Sequence, residues 1–353
     1  MKTAYWLLLI TFLLVGFGVI MVGNASFVDA AMDFGNEWYY LRLQSLWAVL
    51  GTLALLVSSR FPLSRLEKLS QMMLLVCLGL LIMVLIPGIG SKYLGARRWI
   101  GIGFAGFQPA ELMKLSIVIY LAHLFTKSDF QVKNFLYVVG VILGLVLLEP
   151  DMGTAIIIFL VSITMYFMSG HTLKLFYYLI PASFVGILIL IVAFPYRLNR
   201  LKSFLDFSID PQGSSYHIRQ ALLGIGSGGI WGVGFGQSKQ KYQFLPEVTT
   251  DSIFAVIAEE TGLVGGIALI GTFSALVYQG LKVAQNAKNR FESLLAVGIT
   301  SWVGWQAIIN IAAMTALVPL TGIPLPFISY GGSSLIFLMS GMGLLINIAR
   351  NSS

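Results

Sequence analysis

Long apolar runs recur along this 353-residue chain, and they constrain its fold more than any other feature. A helix needs about 20 consecutive apolar residues to cross the hydrocarbon core of a bilayer. Runs near that length follow one another along the whole sequence and leave no room for a sizeable soluble domain. Only 10% of the residues are charged, against about 25% in soluble domains. The sequence therefore predicts an integral membrane protein.

The expected fold is an all-α membrane domain over residues 1–353, with a large extracytoplasmic loop at roughly 195–251 between the seventh and eighth spans. A retained signal anchor is favoured over a cleaved signal peptide, because many more apolar runs follow the first. The only cysteine, Cys77, rules out an intrachain disulfide. Ten spans are predicted, at residues 4–22, 43–60, 69–87, 110–126, 134–148, 152–169, 175–194, 252–278, 292–318 and 331–349.

Lysine and arginine in the short connections set the predicted orientation, because such residues accumulate on the cytoplasmic side. The even-numbered connections carry them, as at Arg60, Lys127 and Lys282, whereas the short connections at 149–151 and 319–330 have none. Both termini are therefore expected to be cytoplasmic.

Two predicted outer loops are basic in spite of this rule. They are either ordinary solvated loops or an outward-facing site for phosphate groups, the usual partners of Arg and Lys. The net charge of +7 fits both interpretations and also contact with anionic lipid heads, and no nucleic-acid partner is expected. The basic residues are Lys92, Arg97 and Arg98 in the first loop, and Arg197, Arg200, Lys202, Arg219, Lys239 and Lys241 in the second.

Glu111 and Lys114 lie at the start of the fourth predicted span. Their spacing of three residues places them on one helix face, where they can pair. This is either a structural ion pair or part of a cavity, since ionisable groups at membrane depth usually face a partner or a cavity.

Asp251 lies where the basic loop ends and the eighth span begins. A helix N-terminus lowers the pKa of a carboxyl group, so Asp251 is expected to be ionised at neutral pH. Glu259 and Glu260 are turned about 80° and 180° from it and lie about 12 Å deeper, so neither can form a close pair with it. A second acid, if one is used, must come from elsewhere, for example Glu111, Glu149 or Asp151, although Asp151 is also placed to cap the sixth span.

Two segments predict irregular backbone. Residues 224–236 contain seven glycines, which favours close backbone packing or a bend; backbone N–H groups that cradle a diphosphate are the alternative. The proline-rich segment at 319–334 is expected to be buried or to line a cavity. No metal site is predicted, because the histidines lack metal-ligand spacing; they are His123, His171 and His217.

Seven motifs follow one another along the chain. Together, and in this order and spacing, they resemble the motifs of the SEDS family of bacterial cell-wall proteins, the group of FtsW, RodA and SpoVE. The motifs are Gly95-Ala-Arg-Arg-Trp-Ile100, Gln108-Pro-Ala-Glu111 with Lys114, Glu149-Pro-Asp-Met-Gly-Thr154, Tyr196-Arg-Leu-Asn-Arg-Leu-Lys-Ser-Phe-Leu205, Gln220-Ala-Leu-Leu-Gly-Ile-Gly-Ser-Gly-Gly229, Leu245-Pro-Glu-Val-Thr-Thr-Asp251 and Pro324-Leu-Pro-Phe-Ile-Ser-Tyr-Gly-Gly-Ser-Ser334.

The resemblance implies a glycosyltransferase of the bacterial cytoplasmic membrane that polymerises lipid II into peptidoglycan strands at the outer face. Asp251 matches the proposed catalytic aspartate of the family. The chain departs from many relatives at residues 248–250, Val-Thr-Thr instead of Ala-His-Thr, and at Ser252 instead of Phe. The segment Lys239-Gln-Lys-Tyr242 favours the division and sporulation branch over the elongation branch of RodA. The expected location is the division septum.

In the reaction that the resemblance implies, Asp251 accepts a proton from the 4-hydroxyl of lipid II as it attacks the anomeric carbon with inversion. Basic residues would stabilise the leaving undecaprenyl diphosphate. No cofactor is assigned. Participation of a divalent cation, Mg²⁺ or Mn²⁺, in stabilising the diphosphate is left open. The substrate-binding candidates are Arg97, Arg98, Trp99, Glu111, Lys114, Asp151, Arg197, Arg219 and Lys241.

The implied partners are lipid II, the undecaprenyl-diphosphate-linked glycan, a class B penicillin-binding transpeptidase, and membrane proteins of the divisome or elongasome. Two other functions stay open. A lipid II flippase would need cationic contacts accessible from both membrane faces, whereas the extra cations here lie in the predicted outer loops. A scaffold that merely recruits the transpeptidase would leave Asp251 without a task.

Overall fold

The computed structural model describes residues 2–93, 96–102, 105–193, 195–206 and 214–352, which form helices and one small antiparallel sheet. The helices are α1 (Lys2–Phe34), α2 (Tyr39–Ser58), α3 (Leu63–Leu85), α4 (Pro109–Leu124), α5 (Val132–Leu148), α6 (Met152–Met168), α7 (Lys174–Ala193), α8 (Pro195–Leu205), α9 (Ser214–Ser227), α10 (Ile253–Gln285), α11 (Arg290–Met314) and α12 (Gly332–Asn351). The strands are β1 (Gly90–Tyr93), β2 (Ala96–Ile102) and β3 (Ala105–Phe107), paired in that order.

Each predicted span overlaps one helix, namely α1 to α7 and α10 to α12. Six helices in the described ranges are long and apolar enough to cross a membrane: α1, α2, α3, α10, α11 and α12. Helices α5 and α6 are apolar but only 17 residues long each. The all-α membrane fold is thus confirmed, and the count of ten spans stays a prediction.

Helix α4 lies at the centre of the bundle. All of its residues except Leu112, Tyr120 and His123 are buried, as expected of a helix that is apolar all round. It packs against α3, α6, α11 and α12. The buried charged groups of α4, Glu111 and Lys114, are therefore enclosed by protein and must find their partners there.

The glycine-rich segment packs against a break in α10. The break is at Gly262, with φ 68° and ψ −167°. It frees two backbone N–H groups, and the glycine-rich segment accepts both: Leu263 donates to the oxygen of Gly229 at 2.9 Å and Val264 to that of Ile230 at 3.2 Å. The predicted close backbone packing of residues 224–236 is confirmed.

The glycine-rich segment also donates hydrogen bonds to α10. The N–H groups of Val233 and Gly234 donate to the oxygens of Glu259 and Glu260 at 3.0 and 3.1 Å. A Cβ atom on Gly232 would overlap the carbonyl oxygen of Glu260. Backbone–backbone contact with α10 therefore accounts for the glycine at this position.

We expect Gly232→Ala to destabilise the protein far more than Gly229→Ala. Both glycines have positive φ, 84° and 54°, which costs an alanine about 1–2 kcal/mol. Only at Gly232 does the added methyl group meet backbone, whereas at Gly229 it has open space. Thermal unfolding of the two variants in detergent measures the difference, and equal Tm values would contradict the backbone contact.

Candidate active site

A cavity of about 680 Å³ lies beside Asp251. Its walls come from β2, α4, α6, α8, the segment before α10 and the irregular segment at 318–331. The predicted cavity-lining role of the proline-rich segment is thus confirmed. The ionisable residues in the wall are Arg98, Glu111, Lys114, Asp151, Arg200, Glu247, Asp251 and Tyr330.

Asp251 is half-buried and lies two residues before the start of α10. Its carboxylate packs against the backbone of Gly322. A Cβ atom added to Gly322 would lie only 3.3 Å from Oδ2 of Asp251. Gly322 has φ 72°, a conformation suited to glycine. The absence of a side chain at residue 322 leaves the space that the carboxylate uses.

The predicted lowering of the Asp251 pKa is wrong. Burial raises the pKa of Asp251 to about 7, and the nearby charge of Glu247 adds to the rise, while Arg200 opposes it. The helix begins only at Ile253, with Ser252 at the N-cap, and removal of water from the carboxylate outweighs the helix dipole. Asp251 therefore titrates near neutral pH.

Asp151 caps α6, as predicted. Its Oδ1 accepts from the N–H of Thr154 at 3.0 Å, and its Oδ2 accepts from Thr154 Oγ1 at 2.8 Å and from Gln108 Nε2 at 3.0 Å. These three hydrogen bonds hold the Asp151 side chain in place and tie the start of α6 to the start of α4. The Asp151 side chain is therefore held in one position in the cavity wall.

Arg98 and Trp99 of β2 line the cavity. Arg98 Nε donates to the oxygen of Glu149 at 3.0 Å, and Nη2 donates to the oxygen of Pro150. These bonds hold the guanidinium against the turn between α5 and α6. Arg97 is not among the described residues that line the cavity.

Glu149 lies behind Arg98 and is fully buried. Among the described residues, neither of its carboxyl oxygens has a hydrogen-bond partner. Burial, followed by the nearby charge of Asp151, raises the pKa of Glu149 to about 8. Glu149 is therefore mostly protonated at neutral pH and lies outside the cavity lining.

Glu111 and Lys114 form the predicted pair, with 2.7 Å between Nζ and Oε1. Both side chains are about 95% buried (4% and 5% exposed). Lys114 Nζ also donates to Gln306 Oε1 at 3.3 Å and lies 5.3 Å from the ring centre of Trp302. The pair forms the part of the cavity wall that lies furthest along α4.

Arg200 of α8 was missing from the predicted site. It lines the cavity, its Nη1 donates to the oxygen of Leu320 at 3.2 Å, and its charge acts on Asp251. Its place in the Tyr196–Leu205 motif was the available signal. Arg197 also lies on α8, but its side chain is outside the described part, and Arg219 of α9 is exposed and not among the described lining residues.

Lys241 lies away from the cavity in a separate buried network. Its Nζ contacts Asn24 Oδ1 at 2.9 Å, the oxygen of Gly236 at 2.5 Å and Glu260 Oε1 at 3.5 Å. Its position gives the predicted substrate-binding role no support. Glu260 and its neighbour Glu259 bind this loop and not Asp251, as their helix positions predicted.

His217 lies next to the site without lining it. Its Nε2 is 2.6 Å from Ser252 Oγ, and Ser252 in turn donates to the oxygen of Pro246 at 2.8 Å. Burial, with the charge of Arg200, lowers the pKa of His217 to about 4. The histidine is therefore neutral at physiological pH and supports the residue that follows Asp251.

Comparison with known proteins places the chain in a family. Its helices and connecting segments enclose a cavity in which the carboxylate of Asp251 lies with Arg98 and Arg200. The family model of FtsW, RodA and SpoVE, described as cell cycle protein, matches residues 5–353. The chain belongs to this family.

Similar proteins match along nearly the whole chain. Stage V sporulation protein E of Bacillus subtilis (strain 168) is 37% identical over 353 residues, 98% of this chain and 96% of the relative. Probable peptidoglycan glycosyltransferase FtsW of Nitrosococcus halophilus (strain Nc4) is 40% identical over 346 residues, which cover 95% of this chain and 89% of the relative.

Solved structures show the same fold. The rod shape determining protein RodA of Thermus thermophilus superposes with a TM-score of 0.72 at 27% identity and covers 98% of this chain and 96% of its own. A chain from work on the structural coordination of polymerization and crosslinking by a peptidoglycan synthase complex gives a TM-score of 0.81 at 27% identity, with 99% and 98% covered.

Proposed function

We propose that this protein is a peptidoglycan glycosyltransferase that polymerises lipid II at the outer face of the bacterial cytoplasmic membrane. One observation carries the proposal. The carboxylate of Asp251 shares a cavity with Arg98 and Arg200, and its pKa is about 7. A general base works best when its pKa lies near the operating pH, and arginine is suited to bind diphosphate.

In the proposed reaction, the Asp251 carboxylate takes the proton of the 4-hydroxyl of the incoming lipid II. The hydroxyl oxygen then forms a bond to the anomeric carbon of the growing chain. The bond from that carbon to the diphosphate oxygen breaks, undecaprenyl diphosphate leaves with the electron pair, and the configuration inverts. Arg98 and Arg200 stabilise the charge that gathers on the diphosphate.

A divalent cation would assist the same step. Mg²⁺ keeps several waters and binds through one or two carboxylates together with substrate phosphates. Among the described residues, no three Asp, Glu, His or Cys side chains form a group that could hold a metal ion. Glu247, which also lines the cavity, would supply the carboxylate of such a shared site, because Asp251 must stay free to accept the proton and three donors already occupy Asp151.

The relatives support a proposal for the partner and the location of this protein. One structural relative belongs to a peptidoglycan synthase complex that polymerises and crosslinks, which supports a class B penicillin-binding transpeptidase as partner. Similarity to FtsW and to a sporulation protein supports the division branch, the septum and divisome partners. The lysine and arginine residues of the even-numbered connections support cytoplasmic termini, and with that orientation the Asp251 cavity would lie at the outer face.

Reconstitution distinguishes the polymerase from the flippase. The full-length protein is placed in liposomes with fluorescent lipid II, with and without the transpeptidase partner. We expect glycan polymer on gels, and its disappearance after muramidase digestion. Transport of lipid II to a protected leaflet, with no polymer under either condition, would overturn the proposal in favour of the flippase.

The rate of polymerisation is expected to depend on pH through Asp251. A protonated carboxyl group cannot accept the hydroxyl proton, so the rate falls about tenfold per unit below about pH 7 and levels off above it. Glu247→Gln removes a charge that raises the Asp251 pKa, so the midpoint should move to lower pH. A flat profile between about pH 5.5 and 7.5 would contradict this assignment.

A further inference from the structure

The backbone carbonyls of Thr249, Thr250 and Asp251 each accept a hydrogen bond from another part of the chain. The oxygen of Thr249 accepts from the N–H of Tyr330 at 2.8 Å, and that of Thr250 from Ser329 Oγ at 2.6 Å. The oxygen of Asp251 accepts from Asn310 Nδ2 at 2.8 Å. The donors all come from α11 or from the segment at 318–331, so these elements fix the backbone of Asp251.

Asn310 has the most direct contact with Asp251 among these donors. Its side chain is 99% buried (1% exposed). Its amide group has two N–H bonds, and Nδ2 donates to a second carbonyl, that of Ile323, at 2.7 Å. Ile323 follows Gly322, the residue on which the Asp251 carboxylate rests. One amide group therefore joins the backbone of Asp251 to the surface beneath its carboxylate.

This bridge restricts where the carboxylate can lie. An aspartate side chain has only two rotatable bonds, so within one rotamer its backbone position determines the position of its oxygens. Misplacement of a catalytic group by 1 Å can cost about 100-fold in rate. A side chain that holds the backbone of Asp251 and that of Ile323 together thus controls the distance from the base to its substrate.

The bridge is also connected to the buried ion pair. One helical turn before Asn310, Gln306 Nε2 donates to the oxygen of Pro324 at 3.0 Å, and Gln306 Oε1 accepts from Lys114 and from Trp302 Nε1. Trp302, Gln306 and Asn310 follow at intervals of four on α11 and so share one face. This polar face holds the segment at 318–331 against the cavity.

We propose that Asn310 is a positioning residue for Asp251, and the proposal rests on the general-base role proposed above. Asn310 acts through the backbone of Asp251 and does not touch the reacting atoms. Loss of its amide group should therefore reduce kcat and leave the binding of lipid II nearly unchanged.

Asn347 of α12 provides a matched control. It is also a buried asparagine whose Nδ2 donates to two backbone carbonyls, those of Phe61 at 2.7 Å and Ser58 at 3.4 Å. These carbonyls lie at the end of α2 and in the connection from α2 to α3, outside the cavity lining. Asn310→Leu and Asn347→Leu therefore remove the same kind of contact, and only the first removes it from Asp251.

The test measures kcat and KM for lipid II, together with Tm, for both variants of the full-length protein. We expect Asn310→Leu to lower kcat about 10- to 100-fold with KM within about twofold, and Asn347→Leu to keep the wild-type kcat. Equal kcat values for the two variants would overturn the proposal. So would a loss in Asn310→Leu that lies in KM alone.

A second pair keeps the test decisive if the leucine variants fail to insert. Asn310→Ser and Asn347→Ser stay polar and leave room for water, but one hydroxyl cannot join two carbonyls as the amide does. A kcat reduced only in Asn310→Ser supports positioning, and an unchanged kcat refutes it. Wild-type polymerisation by Asp251→Asn would instead refute the general-base role itself, so the two failures are distinguishable.

Discussion

Asp251→Asn is expected to lower kcat for glycan polymerisation by about 10²- to 10⁴-fold, the contribution usual for a general base. Asparagine has nearly the same shape as aspartate, so it fits over Gly322 and leaves the cavity intact. Its amide cannot take the proton of the attacking hydroxyl. Polymer formed from fluorescent lipid II in proteoliposomes measures the rate, and KM for lipid II should change little.

The matched control is Asp33→Asn, at the end of α1. Asp33 is exposed and lies outside the cavity lining, so its change tests for a general effect of lost negative charge. We expect the wild-type rate from it. A rate for Asp251→Asn within about threefold of this control would rule out the general-base role.

Glu111→Gln is expected to lower the free energy of unfolding by about 3–5 kcal/mol, because it leaves the buried ammonium of Lys114 without its counter-ion. Lys114→Met leaves the carboxylate of Glu111 unpaired in the same way. The double variant removes both charges and should recover much of the loss. Thermal unfolding in detergent of the wild type, both single variants and the double variant measures the coupling energy.

A partly exposed pair provides the control for this cycle. His123 Nδ1 lies 3.3 Å from Glu67 Oε1, with side chains 25% and 36% exposed. Water screens such pairs, so Glu67→Gln should cost at most about 1 kcal/mol. If Glu111→Gln lowers the free energy of unfolding no more than Glu67→Gln, the charge of Glu111 does not stabilise the fold.

The helices were predictable because the length of an apolar run reflects a local requirement, the satisfaction of backbone groups in lipid. The small sheet β1–β3 and the helices α8 and α9 were not predicted. They are short and lie in the polar connections, where apolar periodicity carries little signal. Their side chains matter to the site, since β2 supplies Arg98 and α8 supplies Arg200.

The site was predictable where the chemistry was local. The cap at Asp151 and the pair of Glu111 with Lys114 follow from spacings of three residues, and the structure confirms both contacts. The surroundings of Lys241 were not predictable, because Asn24 and Glu260 approach it from distant parts of the chain. Basic residues in one loop look equivalent in sequence, whereas folding buries some and leaves others at the cavity.

The sequence by itself determined that this chain folds as helices in a membrane and that Asp251 lies at the start of a long helix. Both follow from neighbouring residues, because these set the length of each apolar run and the boundaries of each helix. Only the tertiary structure decided which charges share a cavity with Asp251 and that its pKa lies near 7. The reason is physical: desolvation and charge–charge interactions act through space, and the residues that exclude water from Asp251 come from segments far apart in the chain.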